Sequence, residues 1–287
     1  MMSSSRPAAF VSIFLTVTLP VSAQDSLPEF EAPFERNAIE PGSVTSGAPQ
    51  VPAGYGFSWV VSLGHRGQSH ALGGHFCGGS VIGSRWVLTA GHCVVREDGT
   101  VVEPSQIQIK TGYELQQGAF YEVEDVLLNP KYSSTAFNTL TNDIAIVKTK
   151  RSIDIPVIAT MVRPRDLNNV SERVTVLGWG KPRSYLNYLS ERLRYLNLKM
   201  IKNDDCNSRY YNGMIDEKMI CALAEGTDAC QGDSGGPLVA SDGRLSLYLF
   251  GVVSWGDQCG ETGKPGIYAN VARHYDWIID TIKDTGN

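Results

Sequence analysis

From Trp59 onward, short apolar runs alternate with clusters of Gly, Asn, Asp and Ser. Trp59-Val60-Val61-Ser62-Leu63, Ser80-Val81-Ile82, Trp86-Val87-Leu88 and Ile107-Gln108-Ile109 are such runs. Ile144-Ala145-Ile146-Val147, Val174-Thr175-Val176-Leu177 and Pro237-Leu238-Val239 are others, as is the longer stretch from Leu247 to Val253. Each is bounded by turn-forming residues and reads as a strand. Many short strands with frequent turn signals predict an all-β sandwich or barrel. One segment breaks the pattern. From about Ala272 to Lys283, Trp277, Ile278 and Ile282 recur at helical spacing, which predicts one amphipathic helix at the C-terminal end. No tandem repeat with a period of about 20–50 residues is present.

The N-terminal region follows other rules. Arg6 is the only charge before an apolar stretch from Ala8 to Val21, and Val21-Ser22-Ala23 supplies small residues where a signal peptidase reads. Residues 1–23 are therefore expected to be a signal peptide cut after Ala23, and the protein is expected to be secreted and extracellular. A membrane anchor would be longer, and Thr and Pro interrupt this stretch. No later segment is apolar enough to span a bilayer, so no membrane partner is expected. Residues 24–43 are rich in Pro, Glu and Ser without apolar periodicity and read as a pro-segment or linker. That leaves 44–287 as the folded domain.

A net charge of −5 gives no basic stripe for nucleic acid. Six cysteines in an exported chain predict three disulfides, in one of 15 pairings. No cysteine pair has the close spacing of a zinc site, so no metal is expected. Asn169-Val170-Ser171 is an N-glycosylation sequon.

Three segments carry chemistry. Asp228-Ala229-Cys230-Gln231-Gly232-Asp233-Ser234-Gly235-Gly236-Pro237 offers a serine flanked by glycines, and Leu88-Thr89-Ala90-Gly91-His92-Cys93 offers a histidine. Between them, Thr141-Asn142-Asp143-Ile144 places an aspartate at the head of an apolar run. A serine hydroxyl is a weak nucleophile until a base takes its proton, and histidine is the usual base. An aspartate then fixes the imidazole tautomer. Taken singly, such a serine is ordinarily a turn residue and such an aspartate a strand start. Together, in this order and with these flanks, they specify Ser234 as nucleophile, His92 as base and Asp143 as its orienting partner. Gly232, without a Cβ, frees the backbone to aim an N–H at the reacting oxygen. The N–H groups of Gly232 and Ser234 are then expected to form the oxyanion hole.

These segments resemble the chymotrypsin/trypsin family of serine endopeptidases, whose triad occurs in the order His, Asp, Ser. The similarity runs from about Val44 to the C-terminus. It includes His75-Phe76-Cys77-Gly78-Gly79-Ser80, Gly178-Trp179-Gly180, Ser254-Trp255-Gly256 and Lys264-Pro265-Gly266-Ile267-Tyr268. The resemblance implies two six-stranded antiparallel barrels, with His92 and Asp143 from the first and Ser234 from the second. It implies the pairings Cys77–Cys93, Cys206–Cys221 and Cys230–Cys259. Ser254 matches the serine that hydrogen-bonds the aspartate in the family.

The resemblance also implies specificity. Asp228 lies at the position of the pocket base, six residues before the nucleophile, where a carboxylate takes a substrate Arg or Lys. Trp255, Gly256 and Gly266 match wall positions, and the glycines leave the pocket open to a long basic side chain. Ala229 stands where many trypsins have serine. It removes a hydroxyl that would help solvate a lysine ammonium, so cleavage after Arg is expected to exceed cleavage after Lys. Pro265 replaces the aromatic residue of sodium-activated relatives. The segment from Thr111 to Tyr121 is short and poor in the carboxylates that calcium needs. No cofactor is expected.

Family members are activated by a cut that exposes a new N-terminus, whose ammonium pairs with the aspartate before the nucleophile, here Asp233. Val44-Thr45-Ser46-Gly47 aligns with the usual Ile-Val-Gly-Gly, and Arg36 is the nearest upstream basic residue. A zymogen cut near residues 36–44 is the expectation. Ser62 and His75 match residues that hold this aspartate in some zymogens. The expected partners are protein or peptide substrates and protein protease inhibitors, with the enzyme acting as a monomer. A catalytically silent binding or inhibitor protein on the same fold is the alternative. An ester or lipid hydrolase would call for an α/β chain, which the strand-rich pattern opposes.

Overall fold

A computed structural model describes residues 49–51, 56–135, 139–157, 159–169, 171–182, 186–223, 231–241, 246–256 and 264–286. The first barrel uses β1 (Val60–His65), β2 (His75–Gly83), β3 (Trp86–Thr89), β4 (Ile107–Lys110) and β5 (Phe120–Leu128). A small hairpin, β6 (Ser133–Ser134) and β7 (Leu140–Thr141), then leads into its sixth strand, β8 (Ala145–Thr149). The order around the barrel is β1-β2-β3-β8-β5-β4, and β4 pairs back to β1. Closure leaves no unpaired strand edge to recruit another chain.

The second barrel follows. A short β9 (Thr160–Met161) precedes β10 (Arg173–Gly178), β11 (Arg194–Ile201), β12 (Met219–Leu223), β13 (Pro237–Ser241), β14 (Leu247–Trp255) and β15 (Gly266–Asn270). The order is β13-β10-β11-β12-β15-β14, closed by pairing of β13 with β14, while β9 lies parallel beside β14. A one-turn α1 (Asn203–Cys206) precedes β12, and α2 (Val271–Asp284) follows β15. The fold is thus all-β, with two six-stranded antiparallel barrels and a C-terminal helix, as the family resemblance implied.

Apolar residues on both faces of the first barrel's strands hold it together. Val61, Leu63, Val87, Leu88, Ile109 and Ile146 are wholly withdrawn from water. Each contributes about 1.5–3 kcal/mol by the transfer of its side chain. Some strands were not evident as apolar runs. Along β5, Phe120 to Glu124 alternate between exposed and buried, so charged residues interrupt the apolar ones. β15 begins with glycine and ends with asparagine, both turn formers.

Two disulfides brace the described chain, Cys77–Cys93 and Cys206–Cys221. Both match the implied pairing. Cys230 and Cys259 lie outside the described residues.

At Gly78 the two barrels meet backbone to backbone. A Cβ on Gly78 of β2 would lie 2.9 Å from Gly236 Cα, closer than real Cβ atoms come. With glycine there, Gly78 N–H donates to Ser234 O at 2.7 Å. The serine turn of the second barrel is thereby hydrogen-bonded to a strand of the first.

Asn270 ends β15 and caps α2. Its side chain accepts from the Ala272 and Arg273 N–H groups, two donors that the helix cannot satisfy internally. Asn270→Ala is expected to cost about 1 kcal/mol and to lower the melting temperature by roughly 2–4 °C. Scanning calorimetry of an inactive background, free of self-digestion, checks this.

Candidate active site

Each site residue is held by local geometry. β3 ends at Thr89, and the chain turns through a 3₁₀ segment, Gly91–Val94, that carries His92. The Cys77–Cys93 disulfide ties this turn to β2. Gly91 is required here. A Cβ would lie 2.8 Å from Tyr132 Cδ2 and 3.2 Å from Asp143 Oδ1. Glycine lets both close over the turn.

Asp143 sits just before β8, after Asn142 in the left-handed region at φ 48°. Asparagine tolerates that conformation better than most residues. Its side chain is held at both ends. Nδ2 donates to Lys131 O at 2.9 Å, and Oδ1 accepts from Lys218 Nζ at 3.0 Å. The turn drives the Asp143 carboxylate inward, where the residue is only 2% exposed.

Three donors meet that carboxylate. His92 N–H donates to Oδ1 at 2.8 Å, and His92 Nδ1 lies 2.8 Å from Oδ2. Ser254 Oγ donates to Oδ2 at 2.5 Å. Ser254 falls at a register shift in the β14–β15 pairing, between Val253 and Trp255. Such irregularities re-aim a side chain. Burial alone would raise the Asp143 pKa, but the charge of His92 and these hydrogen bonds hold it below the usual carboxylate range. Burial likewise opposes a charged His92, yet the Asp143 charge and hydrogen bond keep its pKa above 6.5. With Nδ1 committed to the carboxylate, Nε2 is the nitrogen free to exchange a proton.

The serine turn presses on the same loop. Gly232 and Gly235 adopt φ of 96° and 77°, a backbone conformation natural to glycine. Gly236 N–H closes the turn onto Asp233 O at 2.9 Å, and Gly235 N–H donates to Val253 O at 2.9 Å. A Cβ at Gly235 would lie 3.2 Å from Cys93 Sγ and would collide with Thr89 Oγ1. Ser234 is thus held on a turn that abuts the residue after His92.

The Asp233 carboxylate lies against the Gly178–Gly180 segment. Gly180 N–H donates to its Oδ1 at 2.8 Å. Side chains at Gly178 or Gly180 would overlap the carboxylate. The Gly-Trp-Gly motif is therefore a socket for Asp233. His75 Nε2 lies 2.8 Å from Gly232 O, so His75 touches the turn rather than the Asp233 carboxylate.

The expected pocket is described in part. Trp255 is half-buried and meets Tyr211 edge-on at 5.2 Å. Gly256 is exposed and Gly266 buried at the start of β15. Asp228, Ala229 and Val44 lie outside the described residues. Sequence reasoning missed Tyr132, which covers Asp143 and Gly91 and has no motif to mark it. It also missed His70, buried beside Ser62. Cys77, His92 and Cys93 cluster closely, but the two sulfurs are joined to each other.

A buried aspartate, an imidazole bonded to it through Nδ1 and a serine on a glycine turn beside that loop fit the class of serine hydrolases with a charge-oriented histidine. The comparisons narrow this. The Trypsin family model matches residues 46–278. Bovine (Bos taurus) anionic trypsin is 37% identical over 214 residues, 73% of this chain and 81% of that protein. Trypsin-3 of Salmo salar is 35% identical over 213 residues, 73% and 84% of the two chains. Trypsin alpha of Drosophila erecta is 35% identical over 230 residues, 78% and 82%. The chain belongs to the trypsin family and is a serine endopeptidase acting on protein substrates. Among the described residues, no helix is long and apolar enough to cross a membrane.

The other buried histidines predict how stability depends on pH. Burial lowers His75 to about 4 against a partly compensating bond to Gly232, and lowers His70 to about 3. Burial also lowers His274, again against a backbone bond, to Asn270. Unfolded, all three would take protons near pH 6.5. Their neutral burial is therefore cost-free above pH 6.5 and destabilises progressively as pH falls from 6.5 toward 4. His92, with its raised pKa, acts in the opposite sense above 6.5. Each proton bound only by the unfolded chain lowers stability by about 1.4 kcal/mol per pH unit. Denaturant titrations of the Ser234→Ala protein at pH 7, 6 and 5 should show this fall. Equal stability at pH 7 and pH 5 would refute it.

Proposed function

We propose that the chain is a secreted endopeptidase that cuts after Arg, and less readily after Lys, through an acyl-enzyme. The observation that carries this reading is the buried Asp143 carboxylate bonded to His92 Nδ1, beside the Ser234 turn. His92 Nε2 takes the Ser234 Oγ–H proton as Oγ bonds to the substrate carbonyl carbon. The carbonyl electrons move onto oxygen, where the N–H groups of Gly232 and Ser234 receive the charge. The intermediate then collapses, the C–N bond breaks, and the amine leaves with the proton from His92. Water repeats the sequence to free the enzyme.

Asp228 supplies the negative floor of the pocket, with Ala229 favouring the bidentate guanidinium over the ammonium. Trp255, Gly256 and Gly266 form its walls. Residues 1–23 act as the signal peptide, 24–43 as the pro-segment and 44–287 as the protease domain. A cut near residues 36–44 frees a terminus, Val44 in the family alignment, to pair with Asp233. The mature enzyme works as a monomer without metal or cofactor, and protein protease inhibitors occupy the same cleft. The family's secreted habit and the apolar N-terminal stretch support the export reading.

Digestion of denatured proteins, read by mass spectrometry, tests the assignment. New C-termini should be Arg, with fewer Lys, and Ser234→Ala should abolish them. Asp228→Ser should lose about 3–5 kcal/mol of transition-state stabilisation on arginyl substrates, the scale of removing one partner of a buried ion pair. Unchanged turnover in that variant would overturn the pocket assignment.

The rate should also follow His92. Because its pKa lies above 6.5, kcat/KM should fall as pH drops through a midpoint above that value. Asp143→Asn should lower the rate about 10⁴-fold by stabilising the wrong tautomer. A rate flat between pH 5 and 8 would exclude His92 as the base.

A further inference from the structure

Ser62 of β1 lies between two buried imidazoles. Its Oγ is 2.6 Å from His70 Nδ1 and 2.6 Å from His75 Nδ1. Ser62, His70 and His75 are 1%, 1% and 3% exposed. One hydroxyl has one proton, so it can donate to only one of the two rings. The far end of the chain decides which. His75 Nε2 meets the Gly232 carbonyl at 2.8 Å, and a carbonyl only accepts. Neutral His75 therefore carries its proton on Nε2 and accepts at Nδ1 from Ser62. Ser62 must then accept from His70, whose proton sits on Nδ1. His70 Nε2 is left as an acceptor, with Gln108 Nε2 at 3.4 Å. The hydrogen bonds run one way, from His70 through Ser62 and His75 to the Gly232 carbonyl.

His70 belongs to the loop between β1 and β2, outside every motif of the site. Gly64 makes room for it, since a Cβ there would overlap the His70 ring. Phe120 of β5 closes over it edge-on at 5.4 Å. Gln108 of β4 fastens the loop's first turn, its Nε2 lying 3.2 Å from both His65 O and Gln68 O, with two protons shared among these oxygens and His70 Nε2. The imidazole is thus built in from three strands, although it stands two groups away from the serine turn.

We propose that His70 is a positioning residue for the Gly232–Ser234 turn, acting through Ser62 and His75. By holding the Ser62 proton toward His75, it fixes His75 as the donor to Gly232 O and steadies the peptide that follows the oxyanion glycine. This rests on the reading of Gly232 and Ser234 as oxyanion donors. Its consequence is that the β1–β2 loop is coupled to turnover without touching substrate.

His70→Phe keeps a ring against Phe120 and removes the Nδ1 donor. Ser62→Ala cuts the chain at its bridge with little change in volume. Each should lower kcat on an arginyl amide about tenfold, near the upper net worth of one hydrogen bond. Binding of a peptide arginal, whose adduct places an oxyanion in the hole, should weaken by the same factor. The affinity for benzamidine, which fills only the basic pocket, should not change. His70→Asn, which restores a side-chain donor, should recover part of kcat. In a His75→Ala background, His70→Phe should cost nothing further. Unchanged kcat in both single variants, equal weakening of arginal and benzamidine, or a full added loss in the His75→Ala background would overturn the proposal. Failure of the functional reading differs, because wild-type enzyme would then neither cut the amide nor bind the arginal, and the inference would fall with it.

Discussion

The Asp143 carboxylate is a charge taken out of water, and the geometry of the cleft follows from keeping it satisfied. Left unpaired, such a group costs several kcal/mol. Its donors come from both barrels, the His92 main chain and ring from the first and the Ser254 hydroxyl from the second. The charge is therefore satisfied only when the two barrels are assembled. The same constraint sets the chemistry. An imidazole that must give Nδ1–H to a carboxylate presents Nε2 as a base, with a pKa raised by its partner.

Close approach is the second constraint, and glycine meets it. Gly91 admits Tyr132 and Asp143, Gly178 and Gly180 admit the Asp233 carboxylate, and Gly78 admits Gly236. These residues lie within or beside the motifs that mark the family. The motifs therefore encode packing distances as much as reacting groups. A serine and a histidine in the right order would not meet if methyl groups stood at the barrel junction.

This explains what was legible in the sequence. His92, Asp143 and Ser234 each sit in a short segment that is ordinary when taken alone, and they became candidates only through their joint order and flanks, while Ser254 was marked only by the family resemblance. The C-terminal helix was legible because Trp277, Ile278 and Ile282 recur at helical spacing within it. β5 was not, because exposed Phe120, Glu122 and Glu124 alternate with its buried residues at the start of the strand. His70 was not legible either. Its role depends on a ring reaching Ser62 across a loop of ordinary composition, and on an absent side chain at Gly64. Periodicity records neither. Tyr132 belongs to the same kind, a residue whose meaning lies in what it covers.

The histidines show how one residue type is divided between chemistry and scaffold. His92 has a carboxylate beside it, so burial loses to charge and its pKa rises. His75 and His70 have a carbonyl and a hydroxyl as hydrogen-bond partners and no carboxylate to offset burial, so burial wins, helped at His70 by the nearby Lys110 charge, and their values fall to about 4 and 3. Acidification from neutral pH therefore protonates His92 first. His92 becomes charged while the rings behind the serine turn are still neutral and still bonded as described. His92 titrates in a range where the histidines behind the serine turn do not, so under the proposed mechanism turnover stops without the turn rearranging. That separation requires no carboxylate near Ser62, and the Gly180 socket keeps the Asp233 carboxylate on a main-chain N–H instead.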